Sequence, residues 1–468
     1  MKRYAAPRLF IVSILSVFLL FQAPQANALE FQFLPDGRVT IDVRDVPLQQ
    51  ILQRISASGV DVRIDPDIRL NVTATYKNKD IRQFFDAVLG EYNHALIWER
   101  PDGGYRLVGV HIFRPGARER ALPLAGASTG FDIVQDPVSG AFYVRNEVLV
   151  RPRSDAARFK LESLVDAIGG AITGPNRGGL YRIILPDGYD TAAFIKQLGK
   201  KGIGGAEPNY AFRLAPPVSG DRPAGRLPVV RNEAAPGQFP PVAVFDSGLS
   251  PEFLQAPYIL DTLNAVDPAA PVSDSQGHGT QMAMIASGSI DPLGTASQAE
   301  ESVPVIAIQG FDGNGFTSSE TLMRGIDFAV EKGARVLSLS WHAVSGSAFL
   351  EQYMEQANRD GLVIVAAAGN EPTGTPVYPA AFPGVMGVGA LEPDGKKWSQ
   401  SNFGGFVAIE APGVADLPTG YDGPPGIYAG TSIATAYAAR RIAAYLAEHP
   451  DASREEIIGV MRQSGGID

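Results

Sequence analysis

The sequence contains no cysteine, and this absence excludes disulfide bonds, thiolate metal sites and lipid attachment through cysteine. A chain without disulfides depends on buried apolar side chains for its stability, and 468 residues suffice for two or three hydrophobic cores. Long apolar runs are scarce as well. Residues 9–21 form a run of 13 residues, too short to cross a bilayer comfortably, and no later run is long and apolar enough to span one.

Basic side chains are scarce in the second half of the chain. Residues 241–468 hold 10 Lys and Arg against 26 Asp and Glu, a net charge of −16. Residues 29–240 hold 27 against 24, a net charge of +3. The acidic half argues against nucleic acid or anionic lipid as its partner, and it would attract a less acidic region of the same chain, an attraction that salt screens.

The first 28 residues have the features of an export signal. Lys2, Arg3 and Arg8 precede the apolar run, and Ala-Asn-Ala at residues 26–28 fits a small-residue cleavage site. We therefore expect residues 1–28 to be a signal peptide rather than a membrane anchor. The protein is then exported, either to the periplasm or out of the cell.

Strand patterns alternate with helix patterns through the acidic half. Near-continuous apolar strands between helices are typical of a parallel sheet covered on both faces, and the site of such a sheet lies at the carboxyl ends of its strands. The patterns predict these elements, in chain order: strand 242–246, helix 278–287, strand 303–309, helix 320–332, strand 336–340, helix 348–360, strand 362–367, strands 385–388 and 406–410, and helix 431–446.

Four motifs in this half bring together the residue types of acyl-transfer chemistry. Asp246 and Asn370 follow buried-strand patterns, whereas His278, flanked by glycines, and Ser432, preceded by Gly-Thr, begin helices. A serine hydroxyl needs a base within hydrogen-bond reach, and an aspartate can hold the tautomer of a histidine base. The positive end of a helix also favours an oxyanion beside a serine placed there.

Each of these residues singly has an ordinary structural explanation. Asp246 could cap a strand end, His278 and Ser432 could cap helices, and Asn370 could occupy a turn with positive φ. Their order, Asp, His and then Ser with separations of 32 and 154 residues, is the order found in subtilisin. Together with Tyr-Pro at 378–379 and Ser-Asn-Phe-Gly at 401–404, the motifs make residues 241–468 resemble the subtilase family of serine endopeptidases.

The resemblance implies a subtilisin-like α/β catalytic domain and a set of residue roles. Asp246, His278 and Ser432 are the expected catalytic triad, and Asn370 is the expected oxyanion-hole donor beside the backbone N–H of Ser432. The residues expected to contact a polypeptide substrate are Ser340, Trp341, His342, Ala368, Gly369 and Val377.

Departures from the family pattern concern the substrate cleft and the nucleophile helix. His342 stands where a glycine is common and would narrow the cleft, and Val377 stands at an often-glycine position, which favours small or medium apolar substrate residues. Ala436 replaces a usual proline, a mild change in a first helical turn. We expect no cofactor, and since no Asp-rich loop has clear calcium-ligand spacing, the sequence leaves calcium binding open.

Two small α+β domains are predicted before the catalytic domain. Residues 29–112 resemble the short domain of secretins and TonB-dependent receptors (STN), which implies docking on an outer-membrane secretion or receptor component. An ordinary small α+β domain explains the same pattern equally well. Residues 113–143 are predicted to be a loose linker.

Residues 144–213 have a βαββαβ order typical of a ferredoxin-like domain. Their end, Ala-Glu-Pro-Asn-Tyr at 206–210, resembles the close of inhibitory subtilase propeptides, and an unrelated spacer domain is the alternative. The Pro- and Gly-rich residues 214–240 are predicted to form an extended linker that the protease cuts at 214–215 or within 229–235.

The sequence thus predicts an exported, self-processing serine endopeptidase with its own pro-domain as inhibitor. A catalytically inactive subtilase scaffold, acting as a periplasmic binding or docking protein, is the alternative from another class. The presence of all four catalytic residue types disfavours that alternative.

Overall fold

The computed structural model describes fifteen stretches of the chain. These are residues 30–33, 38–56, 60–65, 68, 70–90, 92–99, 106–116, 121–123, 130–136, 139–214, 218–219, 238–274, 276–295, 302–418 and 426–463. The predicted signal peptide and residues 215 and 229–235 of the predicted cleavage sites lie outside the described residues. The chain divides into two compact units, Met1–Leu122 and Pro123–Asp468.

The first unit is an α+β domain. Its elements are β1 (Glu30–Phe33), β2 (Arg38–Pro47), α1 (Leu48–Ser56), β3 (Asp61–Ile64), β4 (Asn71–Asp80), α2 (Ile81–Val88), β5 (Asn93–Glu99), β6 (Arg106–Phe113) and, at the boundary, β7 (Leu122–Pro123). The strands form two sheets, ordered β1-β2-β4 and β5-β6-β3-β7. Ile51 and Ile55 of α1 and Phe84 of α2 are fully buried, as the helical spacing of these apolar residues requires.

The second unit begins with another small α+β domain. Its elements are β8 (Ile133–Gln135), β9 (Phe142–Pro152), α3 (Asp155–Ala167), β10 (Ala171–Thr173), β11 (Tyr181–Ile184), α4 (Thr191–Lys200) and β12 (Gly204–Arg213). The strand order is β10-β11-β9-β12, with β8 added beside β9. We call residues 130–214 the pro-region, after the role expected from the sequence. Strands β7 and β8 lie inside residues 113–143, the predicted loose linker.

The rest of the second unit is built around a seven-stranded parallel sheet. Its elements are β13 (Val218–Ser219), β14 (Val242–Asp246), β15 (Ile259–Asn264), α5 (His278–Ser287), β16 (Val305–Gln309), β17 (Phe316–Ser318), α6 (Ser319–Glu331), β18 (Val336–Leu339), α7 (Ala348–Arg359), β19 (Val363–Ala367), β20 (Met386–Leu391), β21 (Val407–Pro412), β22 (Val414–Leu417), β23 (Gly426–Ala429), α8 (Thr431–Glu448) and α9 (Arg454–Gln463). The sheet order is β15-β16-β14-β18-β19-β20-β21.

Successive residues of the central strands face opposite sides of this sheet. Val242 and Val244 of β14 pack in a core with α5 and α8. Ala243 and Phe245 pack in a second core with α6 and α7. The side-chain period of two along a strand therefore produces one core on each face. This confirms the predicted subtilisin-like α/β fold, with helices on both faces and two small α+β domains before it.

The pro-region and the domain built on the parallel sheet share a β-sheet. Strand β12 pairs antiparallel with β17, so that Ala211, Phe212 and Arg213 lie opposite Ser318, Thr317 and Phe316. A second, three-stranded sheet has the order β13-β23-β22. Among the helices of the described ranges, none combines the length and apolar character of a membrane span.

Candidate active site

Asp246 and His278 are joined by a short hydrogen bond in the interior. Asp246 is the last residue of β14 and His278 the first of α5, and its Nδ1 lies 2.6 Å from Asp246 Oδ1. The side chains are 1% and 0% exposed. A carboxylate at Nδ1 favours the tautomer with the proton on that nitrogen, which leaves Nε2 as the atom able to accept a proton.

Glycines allow the helix start and the strand end to approach backbone to backbone. Gly277 caps α5 with φ of 78° and contributes no side-chain hydrogen bond. A Cβ on Gly279 would lie 2.3 Å from the Gly248 carbonyl oxygen, and one on Gly248 would lie 1.9 Å from that of Ser273. Any side chain at these two positions would push the histidine away from the aspartate.

Ser432 is the second residue of α8 and is 4% exposed. Its hydroxyl donates to the backbone carbonyl of Ser340 at 2.9 Å, and the Ser340 hydroxyl donates back to the Ser432 carbonyl at 3.2 Å. These reciprocal bonds fix the start of α8 against the chain that follows β18. Helix α8 also packs against α5, the helix that begins at His278.

The side chain of Asn370 lies against the residue before Ser432. Its Oδ1 accepts hydrogen bonds from the backbone N–H and the hydroxyl of Thr431, both at 2.9 Å. Because an N–H must face an acceptor, these bonds decide the amide orientation and leave the Asn370 NH₂ group as the outward donor. The arrangement places an amide donor beside the N-terminus of α8.

His342 lies against Gly369, and both are among the residues predicted to contact substrate. The His342 ring is half-buried, and its Nε2 would be 3.2 Å from a Cβ on Gly369, whose φ is 97°. Burial lowers the pKa of the His342 imidazole, while the nearby Glu371 carboxylate raises it. The neighbour of Val377, Tyr378, exchanges backbone hydrogen bonds of 2.7 and 2.8 Å with Ala343.

Five of the six predicted substrate-binding residues are buried, and His342 is the one that is partly exposed. Ala368 and Ser340 are 0% exposed, and Trp341 is 2% exposed. The Trp341 ring stacks on Phe212 at 5.5 Å and contacts Phe311 edge-on at 5.7 Å. The indole therefore belongs to the core shared with the pro-region, so that any contact of Trp341 with substrate is made by its backbone.

Asp274 and Ser247 also contact the start of α5, and neither is among the residues predicted from the sequence. The sequence signal for Asp274 is indirect: it stands four residues before His278, at a helix whose cap is a glycine rather than a Ser, Thr, Asp or Asn. Within the described part of the chain, no three His, Asp or Glu side chains cluster as a metal site would require.

Comparison with known proteins finds relatives for the part of the chain that holds this site. A family model described as the Subtilase family matches residues 237–465. Subtilisin Savinase from Lederbergia lenta is 33% identical over 240 residues, which cover 50% of this chain and 85% of that protein. Subtilisin NAT from Bacillus subtilis subsp. natto is 30% identical over 232 residues, 48% of this chain and only 60% of the relative's length.

The fold is also similar to that of a solved structure over a larger part of the chain. Fervidolysin from Fervidobacterium pennivorans, titled a keratinolytic enzyme related to subtilisin, aligns with a TM-score of 0.50 and 20% identity. The alignment covers 69% of this chain and 57% of fervidolysin, more of this chain than the family model spans. At this identity the likeness concerns the fold.

Proposed function

This chain belongs to the subtilase family, and on that premise we propose that it is a serine endopeptidase that hydrolyses polypeptides with Asp246, His278 and Ser432. The observation that carries the proposal is the 2.6 Å hydrogen bond between Asp246 and a fully buried His278. A buried imidazole held by a carboxylate is the base that a serine hydroxyl needs.

The reaction follows from the groups present. Ser432 turns its hydroxyl from the Ser340 carbonyl to His278 Nε2, which takes the proton as the oxygen attacks the substrate carbonyl. Asp246 stabilises the imidazolium, and the proton then passes to the leaving amine. The Asn370 NH₂ group and the Ser432 backbone N–H donate to the oxyanion, aided by the N-terminus of α8. Water repeats the sequence on the acyl-enzyme.

We propose further that the pro-region inhibits the catalytic domain until it is removed. Its last strand occupies the edge of β17, and two of its polar side chains cap helices of the catalytic domain. Asn209 Oδ1 accepts from the backbone N–H of Glu320 in α6 at 3.1 Å. Glu207 accepts from the Ser347 hydroxyl and from the backbone N–H groups of Ala348 and Phe349 at the start of α7. Such caps stabilise docking.

The path of the chain after the pro-region supports cleavage in the linker. The backbone N–H of Leu214 donates to the Gly315 carbonyl beside β17 at 2.9 Å. The chain is next described at Val218 and Ser219, which pair with Ala429 and Tyr428 of β23. Strand β23 runs directly into Gly430 and the nucleophile helix. The linker thus begins beside β17 and continues at the strand that leads to the nucleophile.

We propose export for the whole protein and docking for the first unit, with an outer-membrane secretion or receptor component as partner. The supporting observations are the signal-like residues 1–28 and the compact α+β unit before the pro-region. Removal of the first unit is expected to change the location of the protein or its capture of a partner, and to leave peptide hydrolysis unchanged.

Labelling with a serine-directed phosphonate tests the catalytic proposal. The purified protein should be modified at Ser432, as mapped by mass spectrometry of its peptides, and Ser432→Ala should take up no label. Hydrolysis of an unfolded protein should stop in the same variant. A folded wild type that neither hydrolyses nor labels would instead favour the inactive binding scaffold.

A further inference from the structure

Asp274 forms a hydrogen-bond hub at the start of the helix that carries His278. Its Oδ1 accepts from the backbone N–H groups of Gly277 at 2.8 Å and Gln276 at 3.2 Å. Its Oδ2 accepts from the backbone N–H of Thr280 at 2.8 Å and from the Thr280 hydroxyl at 2.6 Å. The carboxylate therefore provides the side-chain cap that Gly277 cannot provide.

The same carboxylate is tied to the strand that carries Asp246. The hydroxyl of Ser247, the residue after Asp246, donates to Asp274 Oδ1 at 2.9 Å and accepts from the backbone N–H of Gly279 at 2.7 Å. Ser247 is 4% exposed. Ser247 and Asp274 thus connect the end of the strand that carries Asp246 with the first turn of the helix that begins at His278.

From this network we propose that Asp274, acting through Ser247, is the positioning residue that holds His278 in register with Asp246. The proposal rests on the proposed function. The short bond of 2.6 Å between Asp246 and His278 tolerates little displacement of either backbone. The Asp274 charge also lies at the positive end of α5, where it stabilises the helix that begins at His278.

Asp274→Asn removes the charge and replaces one acceptor oxygen by a donor that faces the N–H groups of the helix. We expect kcat per active site to fall by about 10²-fold, the loss that a displacement of about 1 Å causes, with KM little changed. The ratio kcat/KM should fall by a similar factor, because the loss lies in the transition state and not in substrate binding. Active sites are counted by phosphonate titration, so that loss of folded protein does not enter kcat.

Two variants separate positioning from a general effect of charge or stability. Asp267→Asn makes the same change in the same loop, at a side chain that accepts only from the Ala269 backbone at 3.1 Å among its described contacts. It should leave kcat unchanged. Ser247→Ala breaks the connection but keeps the Asp274 charge, so it should also lower kcat with KM little changed.

A measurement without peptidase activity distinguishes failure of this proposal from failure of the proposed function. In Ser432→Ala protein, the proton NMR resonance of His278 Nδ1–H reports the short hydrogen bond to Asp246, and it should shift after Asp274→Asn and not after Asp267→Asn. Equal resonances and equal kcat in the two variants would overturn the positioning role. If Asp274→Asn does not fold, a Ser247→Ala enzyme with unchanged kcat would overturn it as well.

Discussion

Replacing Phe212 by alanine should weaken the hold of the pro-region on the catalytic domain. The Phe212 ring is 2% exposed and stacks on Trp341 with centroids 5.5 Å apart and planes inclined by 28°. The ring belongs to the core that contains α6 and α7, and it is not part of the pro-region's own core around Val148 and Leu161. Its removal therefore acts on docking more than on folding of the pro-region.

The expected size follows from burial. Truncation of a buried phenylalanine to alanine costs roughly 3–5 kcal/mol, a range that includes the lost ring stacking and the cavity left behind. Taking the lower end, because a cavity at an interface can partly collapse, about 3 kcal/mol corresponds to about a 10²-fold weaker complex. The backbone pairing of β12 with β17 is retained.

The assay is the recovery of activity when the processed protein is diluted. After linker cleavage the pro-region is held without a covalent bond, so dilution releases it and hydrolysis appears. In Phe212→Ala, half of the activity should appear at about 10²-fold higher protein concentration than in the wild type. Phe159→Ala is the matched control, since Phe159 of α3 is 57% exposed. If Phe212→Ala dissociates at the wild-type concentration, the ring does not contribute to docking and the reasoning from burial fails.

Four further predictions test the site and the domains. Asn370→Ala should reduce kcat by roughly 10²–10³, the loss known for the oxyanion asparagine of subtilisin itself, and an undiminished kcat would remove Asn370 from the oxyanion hole. Mass spectrometry after export should find linker cleavage in the wild type and none in Ser432→Ala, and either an active uncut wild type or a cut variant would contradict self-processing. Deletion of residues 29–112 should leave hydrolysis of an unfolded protein unchanged, and a folded deletion variant without activity would contradict a docking role. Burial raises the pKa of Glu207 in the docked state, and this effect outweighs its hydrogen bonds and Arg151, which lower the pKa. Docking should therefore be strongest below the ordinary pKa of a free glutamate and weaken as the pH rises through the pKa of the docked state. Dissociation rates measured across pH should show this trend in the wild type and not in Glu207→Gln.

Local patterns in the sequence predicted most of the helices and strands of the catalytic domain. The helix predicted at 431–446 is α8, Thr431–Glu448, and the strand predicted at 242–246 is β14 with the same bounds. These elements are predictable because a buried parallel strand is apolar throughout and a helix beside it is built from small and apolar residues. The roles of the triad and Asn370 stay predictions, although the structure brings Asp246 and His278 into contact.

The elements that have no clear pattern in the sequence are short or partly exposed. Strands β17, β22 and β23 have three or four residues each, and β15 is the edge strand of the parallel sheet. Strands of this length have too few residues for a periodic pattern, and they exist because a neighbouring strand supplies their hydrogen bonds.

By itself the sequence determined the fold class and the candidate triad, because periodicity, helix starts and the residue types of a catalytic motif are properties of neighbouring residues. Tertiary structure alone decided that the Trp341 indole packs on Phe212, that β12 pairs with β17, and that Asp274 caps the helix of His278 and accepts a hydrogen bond from Ser247. These contacts join residues whose separation along the chain carries no pattern, and their geometry depends on how the sheet and its helices pack. The pro-region contacts and the positioning of the histidine could therefore be read only from the folded chain.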